Sequence, residues 1–476
     1  MSDGLSRRRF VEALAVSMVS PLASRSAEAA APGTVINDVS RLNPVRVSEE
    51  KQPRSTDEVR TALRSWSGPV SVGGGRFSMG GQIAAPASMH LDMRHMHGVI
   101  AFDASNRTIR VQAGMTWRDL QDIVDPYHLS ITTMQSYSNF TVGGSVSVNC
   151  HGRYVGHGPL INSVRSLQLV TAKSEVLELT RSQHADLFHA VFGGYGGLGV
   201  VTEVELELET NSRLERIVHD VRLEAYPAFF AERARSDPRV ILHNADLTPP
   251  DFNAPRSISW VTTEKPLTER RRLIPRDLDY ALEKNAIWAI TELPGGNRLR
   301  EKLADRLLLE TRAVVWRNYE ASLDAASLEP RTRAMSTYLL QEYFIPVGRF
   351  LSFVRDMARI LKLHNVNALN VSIRHSPPDP KTVLTWAPTE VFAFVLYYKQ
   401  RNTERASAAT RAWTRELIEA ALHNGGRYYL PYRLDATNEQ FDRAYPEARI
   451  FSALKARMDP ESRFRNLLWD KYLRHA

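Results

Sequence analysis

Two glycine-rich stretches about 65 residues apart carry the chemistry of this chain. The first reads Ser71-Val-Gly-Gly-Gly-Arg-Phe-Ser-Met-Gly-Gly-Gln82 and the second Thr141-Val-Gly-Gly-Ser-Val-Ser-Val-Asn-Cys-His-Gly152. Each follows or contains β-branched residues, which predicts a strand end breaking into a tight loop. Glycine has no Cβ, so such a loop reaches positive φ and turns several backbone N–H groups toward one point. An anion suits that point, and pyrophosphate is the commonest occupant, so the pair predicts a nucleotide cofactor gripped from two sides. Neither stretch fits G-x-G-x-x-G at a strand-to-helix junction, no acidic residue stands at the Rossmann position, and no Lys-Ser/Thr pair marks a P-loop. A dinucleotide fits, whereas the usual nicotinamide fold does not.

At 476 residues the chain exceeds one compact core, so two domains are expected. From residue 70 to about 210, short strands alternate with glycine loops: strands over 98–102, 108–113, 164–171, 176–180 and 200–208, helices over 56–67, 117–124 and 185–191. A third glycine segment, Phe192-Gly-Gly-Tyr-Gly-Gly-Leu-Gly199, interrupts them. After about 211 glycine becomes scarce. A strand over 216–223, a helix over 226–234 and strands over 240–246 and 257–263 open the second region, and 297–311 is a clear helix. Then follow strand 338–345, helix 347–363, strands 367–375 and 391–398, helix 403–423 and strand 426–430. This β-α-β-β-α-β order predicts a ferredoxin-like antiparallel sheet with helices on one face. The tail over 438–475 reads as mostly helical. The fold class is α+β, divided as 30–210, 211–430 and a C-terminal segment 431–476.

The composition is that of a soluble globular chain, with 43% hydrophobic and 24% charged residues. A net charge of +8 is a mildly basic surface, and no basic run interleaved with aromatics points to nucleic acid. At the N-terminus Ser6-Arg-Arg-Arg-Phe-Val11 precedes an apolar run, Ala13 to Ala23, and Ala27-Glu-Ala29. That is a charged region, a short apolar region and a small-x-small cleavage site, so residues 1–29 are expected to be a signal peptide. The run is too short to span a bilayer, so no permanent membrane anchor is expected. The arginine pair resembles a twin-arginine signal, which implies export after folding, to the periplasm or beyond. Cys150 is the single cysteine, which excludes an intramolecular disulfide and a cysteine metal site. His90, His95 and His97 read as surface or packing residues, and no metal site is expected.

The combination of Val72-Gly-Gly-Gly-Arg-Phe-Ser-Met-Gly-Gly-Gln82, Thr141-Val-Gly-Gly-Ser145, His151-Gly152 and Phe192–Gly199 resembles the FAD domain of the vanillyl-alcohol-oxidase/p-cresol-methylhydroxylase superfamily. It looks closest to the sugar-oxidising branch of aldonolactone oxidases, alditol oxidases and decaprenylphosphoryl-ribose oxidases. The resemblance covers residues 45–210 strongly and 335–470 more loosely. It implies a two-part FAD-binding domain and a substrate cap with an antiparallel sheet. It also implies that Gly73, Gly74, Gly75, Arg76, Phe77 and Ser78, with Gly143, Gly144 and Ser145, bind the FAD pyrophosphate through backbone N–H groups and a serine hydroxyl. Ser147, His151 and Gly152 would line the flavin or its ribityl chain, and Val200 or Val201 the adenine side. Many relatives tether the flavin through a histidine in the first glycine loop. Here Gly75-Arg76-Phe77-Ser78 offers none, so FAD is expected to be non-covalent. Cys150 is read as an inert buried thiol.

On the substrate side, Asn370-Val-Ser-Ile-Arg374 resembles the strand whose cation faces the substrate in sugar oxidases. Arg374 would orient a hydroxyl or stabilise a developing alkoxide, or else form a surface salt bridge. Gly425-Gly-Arg-Tyr-Tyr-Leu-Pro-Tyr-Arg433 stands where aldonolactone oxidases carry a His-Trp-x-Lys segment. Tyr429 and Tyr432 replace its histidine and lysine, which argues against lactone oxidation. They are candidates for substrate stacking, for a phenolate base if nearby charges lower the pKa, or for packing. The expected function is hydride removal from a CH–OH donor, with electrons passing to oxygen or an envelope acceptor. Rival readings are C–N oxidation of the cytokinin-dehydrogenase type and a non-catalytic flavin-binding partner protein.

Overall fold

β-branched runs between Val70 and Thr210 become strands of two sheets, and those after Arg213 build a third. The computed structural model describes residues 33–292, 313–329 and 332–473. The expected signal peptide and the helix over 297–311 lie outside the described residues. From Thr34 onward the chain packs as one unit. Among the described residues no helix is long and apolar enough to cross a membrane.

The first sheet is parallel, with Met89–Asp92 between Glu49–Lys51 and Val70–Gly73. Helix Thr56–Ser65 covers it. Ser55 caps this helix by accepting from the Glu58 N–H, and Asp57 and Glu58 sit in its first turn, where acidic groups complement the helix dipole. Its Val59 and Leu63 pack with Val70, Met89 and Leu91.

The second sheet is antiparallel. Its order is Val176–Thr180, Val164–Val170, Val200–Thr210, Thr108–Gln112 and Val99–Asp103, with Leu129–Ile131 pairing the end of Val200–Thr210. Along Val200–Thr210 buried residues alternate with more exposed ones, the period-2 pattern of a strand with one face on the core. This strand is followed after two residues by Arg213–Asp220, which already belongs to the third sheet.

One local expectation is overturned. Val142–Val148 is a helix, not a strand running into a loop. Thr141 is its N-cap, with the side chain accepting from the Gly144 N–H, and Asn149 ends it in the left-handed region at φ 46°. The cap and the burial of Val142 and Val146 outweigh the strand preference of the three valines.

The third sheet has eight strands in the order Val314–Trp316, Arg213–Asp220, Arg256–Thr262, Val240–Leu247, Ala368–Ser376, Val391–Arg401, Ser336–Pro346 and Arg427–Tyr428. Its last four strands follow the expected β-α-β-β-α-β order and are antiparallel throughout. The other four extend this unit beyond the Ala368–Ser376 edge. The last strand is only Arg427–Tyr428, because Leu430-Pro431 leaves the ladder. Helix 226–234 continues to Arg235 through a π-type turn.

Alternation along Ser336–Pro346 decides what the sheet presents. Tyr343 packs against Phe353 of helix Phe350–Leu363, and Gln341 bonds Thr414 of helix Glu404–His423, so both helices cover one face. Leu340, Glu342 and Phe344 therefore point to the other face. Directly paired residues share a face, and register pairs Phe344 with Ala393 and Ala393 with Arg374. Glu342, Phe344 and Arg374 are thus delivered to one side.

Helices Asn438–Ala444, Ala448–Met458 and Leu467–Tyr472 form the tail. It returns to the first sheet, where the Val70 N–H donates to Arg463 O at 2.6 Å and the Arg465 N–H to Val70 O at 2.8 Å.

Candidate functional site

A cleft with about 1760 Å³ of free space, its open mouth included, runs from the glycine segments to the uncovered face of the third sheet. At one end its walls are Gly74–Met79, Gly143-Gly144 and Gly194–Gly199. At the other they are His151, Glu342, Arg374, Tyr429 and Tyr432.

The first glycine loop leaves its strand at Gly73, which is buried against the His90 ring instead of lining the cleft. Arg76 then adopts φ 61°, a left-handed turn unusual for a non-glycine residue. Its guanidinium donates to Glu50 at 2.6 Å and Asp92 at 3.1 Å, which neutralises its charge away from the cleft. Among the described residues, the backbone N–H groups of Arg76, Phe77 and Ser78 have no protein acceptor, and neither do those of Gly196 and Leu198. All five residues line the cleft. Unpaired donors on two facing loops form the kind of nest that binds a polyanion, so these residues fit the pyrophosphate of FAD.

The second stretch does not act as expected. The Gly143 N–H donates to Ala113 O at 2.7 Å, the Ser145 N–H to Thr141 O at 2.9 Å and the Gly144 N–H to Thr141 Oγ1 at 3.3 Å. The Ser145 hydroxyl is buried and donates within the fold, near Thr141 O and Gln135 Oε1, both at 2.9 Å. Its expected role on the pyrophosphate is therefore corrected: Ser145 builds the helix turn and does not reach the cleft. Gly143 and Gly144 line the cleft with their N–H groups already committed. Ser147 and Val201 also line it, whereas Gly152 and Val200 do not. Val200 packs in the core under the first sheet with Val170. The third glycine segment, read only as part of a pattern, supplies a whole wall.

Beneath the first loop, His90 is buried and shares a 3.0 Å hydrogen bond with the Ser71 hydroxyl. Burial, reinforced by the Arg76 charge, lowers its pKa to about 3. It therefore stays neutral in the fold while the unfolded chain takes up a proton below about pH 6.5. Stability attributable to this ring is complete above pH 6.5 and is lost as pH falls toward 3, by at most about 1.4 kcal/mol per pH unit. His90→Asn is expected to flatten that slope in urea titrations between pH 4 and 6; an unchanged slope would show the ring to be solvated. Among the described residues no group of three or more His, Cys, Asp or Glu is arranged to hold a metal ion.

At the other end, His151 Nε2 and Glu342 Oε1 are 2.5 Å apart. His151 is 5% and Glu342 3% exposed. The imidazole lies 4.9 Å from the Trp386 ring and 5.5 Å from that of Phe344, centroid to centroid. The Tyr432 hydroxyl donates to Glu342 Oε2 at 3.3 Å, and the Tyr429 hydroxyl to Val148 O at 2.8 Å. Burial pushes both phenols well above their ordinary pKa, and the Glu342 carboxylate adds to the rise. That direction works against a phenolate base at either position. Glu342 was missed from sequence although one signal stood in the open: it is a lone carboxylate in an otherwise uncharged eleven-residue strand.

Arg374 is half-buried in the cleft wall, and among the described residues it makes no ion pair, so the salt-bridge reading falls. Its Nε is buried without a hydrogen-bond partner. Its charge is felt by Tyr137, Tyr432 and Asp246. Cys150 is buried and free, and burial drives its thiol pKa upward, away from the nucleophilic thiolate.

A long cleft lined by unpaired backbone donors and by the His151–Glu342 pair fits a bound dinucleotide. Residues 51–180 match the family described as FAD binding domain. The chain is 32% identical over 159 residues to L-gulonolactone oxidase of Bos taurus, covering 33% of this chain and 36% of that protein. Over 160 residues it is 33% identical to mitochondrial L-galactono-1,4-lactone dehydrogenase 1 of Oryza sativa subsp. japonica, covering 33% of this chain and 27% of the relative. Cytokinin dehydrogenase 5 of Arabidopsis thaliana is 31% identical over 169 residues, covering 33% of this chain and 31% of the relative. The chain thus spans about a third of the length of the curated relatives it matches. These likenesses agree with the superfamily and the sugar-oxidising branch expected from the motifs, and FAD is the cofactor.

Proposed function

We propose that this chain is an FAD-dependent oxidoreductase that removes a hydride from the CH–OH carbon of a sugar, polyol or related alcohol. The observation that carries this reading is the arrangement of one cleft, with unpaired backbone donors on two glycine walls and Glu342, His151, Tyr432 and Arg374 at the far end. FAD supplies a two-electron acceptor when bound. Phe77, Ser78, Gly196 and Leu198 would hold its pyrophosphate. Arg374 would hold the donor oxygen, because its unpaired charge favours a developing alkoxide in a site that excludes water. The three-stranded and six-stranded sheets are read as the two parts of the FAD-binding region, and the eight-stranded sheet as the substrate cap.

Two of the relatives are named for lactones, but Tyr429 and Tyr432 stand where the resemblance implies lactone-binding histidine and lysine. Alcohols and sugars are therefore the first donors. C–N oxidation is the second reading, favoured by the likeness to cytokinin dehydrogenase. Residues 1–29 would direct export by the twin-arginine route, and oxygen or an envelope acceptor would reoxidise the flavin.

The test is anaerobic mixing of the FAD-loaded protein with alcohols, sugars, lactones and amines while the flavin absorbance is followed. Bleaching by alcohols or sugars alone is expected. Bleaching by amines alone would replace this reading with the second, and bleaching by none would leave a binding protein. Denaturing the same preparation should release all the yellow colour, since the first loop carries no tethering side chain and Cys150 is a protonated thiol.

A further inference from the structure

The pair formed by His151 and Glu342 needs an explanation that stability does not supply. Taking a carboxylate and an imidazole out of water costs several kcal/mol per ion, and well-packed apolar side chains of similar volume would serve a core equally well. Both groups also line the cleft. The ring wall around them, Trp386, Phe344 and Tyr429, keeps water away. Tyr432 lines the cleft beside them and is half-buried, whereas its two partners are almost fully enclosed.

The direction of the hydrogen bonds matters. With its hydroxyl hydrogen given to Glu342 Oε2, the Tyr432 oxygen keeps its lone pairs free for an incoming donor. A substrate hydroxyl entering the cleft beside Tyr432 would meet that oxygen. Tyr429 cannot take this place, because its own hydroxyl is turned to Val148 O. Other groups that face the trio are Arg374, whose charge reaches Tyr432, and Tyr195 and Tyr445, which feel Glu342.

We propose that Tyr432, Glu342 and His151 form a proton relay that takes the hydroxyl proton of the substrate. The proposal rests on the oxidoreductase reading above. In the step, the C–H bond breaks and its electron pair leaves with the hydrogen as hydride for FAD, the oxidant. The O–H bond breaks, its proton goes to the Tyr432 oxygen, and the Tyr432 proton passes to Glu342 Oε2. A C=O bond forms, so the donor is oxidised by two electrons. His151 holds Glu342 in place through Oε1. Tyr432 is the catalytic residue, while Glu342 and His151 are positioning and accepting groups behind it.

The experiment compares flavin reduction in stopped flow, using the donor that bleaches the wild type, for Glu342→Gln and Tyr432→Phe. Both variants are expected to reduce the flavin about 10²–10⁴-fold more slowly, the range of a general base, with bound flavin and donor affinity close to wild type. Glu342→Asp should restore part of the rate. A second readout needs no flavin: the ¹⁵N imidazole shifts of His151 in the cofactor-free protein should change in Glu342→Gln. Tyr432→Phe, which removes one oxygen from a half-buried ring, decides the matter if Glu342→Gln does not fold. Wild-type rates in the variants would overturn the relay, and so would a loss of bound flavin that accounts for the slower reduction. A wild-type protein that no donor bleaches would instead overturn the oxidoreductase reading beneath it.

Discussion

Lys455→Met is expected to lower the unfolding free energy by about 3–5 kcal/mol, the range for breaking a buried ion pair on one side. Lys455 is 8% exposed, and its ammonium donates to Gly197 O, Phe464 O and Asp459 Oδ2, each at 2.9 Å. Burial pulls its pKa down and the Asp459 carboxylate opposes the fall. Methionine preserves the length and packing of the stem but leaves Asp459, at 0% exposure, with backbone donors alone. Urea unfolding of the cofactor-free protein measures the loss. Lys455→Met with Asp459→Asn should recover part of it, because the stranded charge is gone. A loss below about 1 kcal/mol in the single variant would mean the pair is solvated. Because Lys455 holds the third glycine wall through Gly197 O, FAD affinity should fall in the same variant.

Gly74→Val should weaken FAD binding by about 5- to 150-fold, the equivalent of the 1–3 kcal/mol that overpacking costs. A Cβ at Gly74 would stand 2.3 Å from Thr141 Oγ1. That oxygen caps helix Val142–Val148 and accepts from both Gly75 and Gly144, so the intruding carbon separates two walls of the cleft at once. Fluorescence titration of apoprotein with FAD reads the effect. Gly348→Val, at a glycine whose Cβ would meet nothing within 4 Å, is the control and should bind as the wild type does. Equal affinities would show that the first and second stretches need not touch.

What could be read beforehand follows the range of each interaction. The helix at Trp117–Val124 and the strand at Val176–Thr180 stand where periodicity puts them, because their patterns are complete within a few residues. The ferredoxin-like order was legible for the same reason: alternating runs and one long helix repeat between residues 336 and 428. Three of the four strands that widen this sheet were readable one by one, Val314–Trp316 was not, and the pairing of Val240–Leu247 with Ala368–Ser376 was hidden because it spans more than a hundred residues. Val142–Val148 was misjudged because a capping hydroxyl and the burial of Val142 and Val146 outweighed the preference of three β-branched side chains. The site divides in the same manner. Glycine spacing pointed to the cofactor cleft, yet whether Gly143, Gly144 and Ser145 had N–H groups to spare depended on Ala113 and Thr141. His151 was visible as a motif residue. Its partner Glu342 lies 191 positions away, and only the register of a strand brings it there.

The return of the tail to Val70 has a consequence for the order of synthesis. Phe464 bridges Val70, and the Val70 N–H and C=O bond Arg463 and Arg465. Asn466 and Trp469 bond the carbonyls of Tyr195 and Gly194, and Lys455 bonds that of Gly197. On a ribosome, the strand that opens the first loop emerges nearly 400 residues before the segment that braces it. Until the tail has been made, the nascent chain therefore lacks the contacts that brace two walls of the cradle. A chain cut short before residue 455 would carry every glycine of the three loops and none of the contacts that brace them.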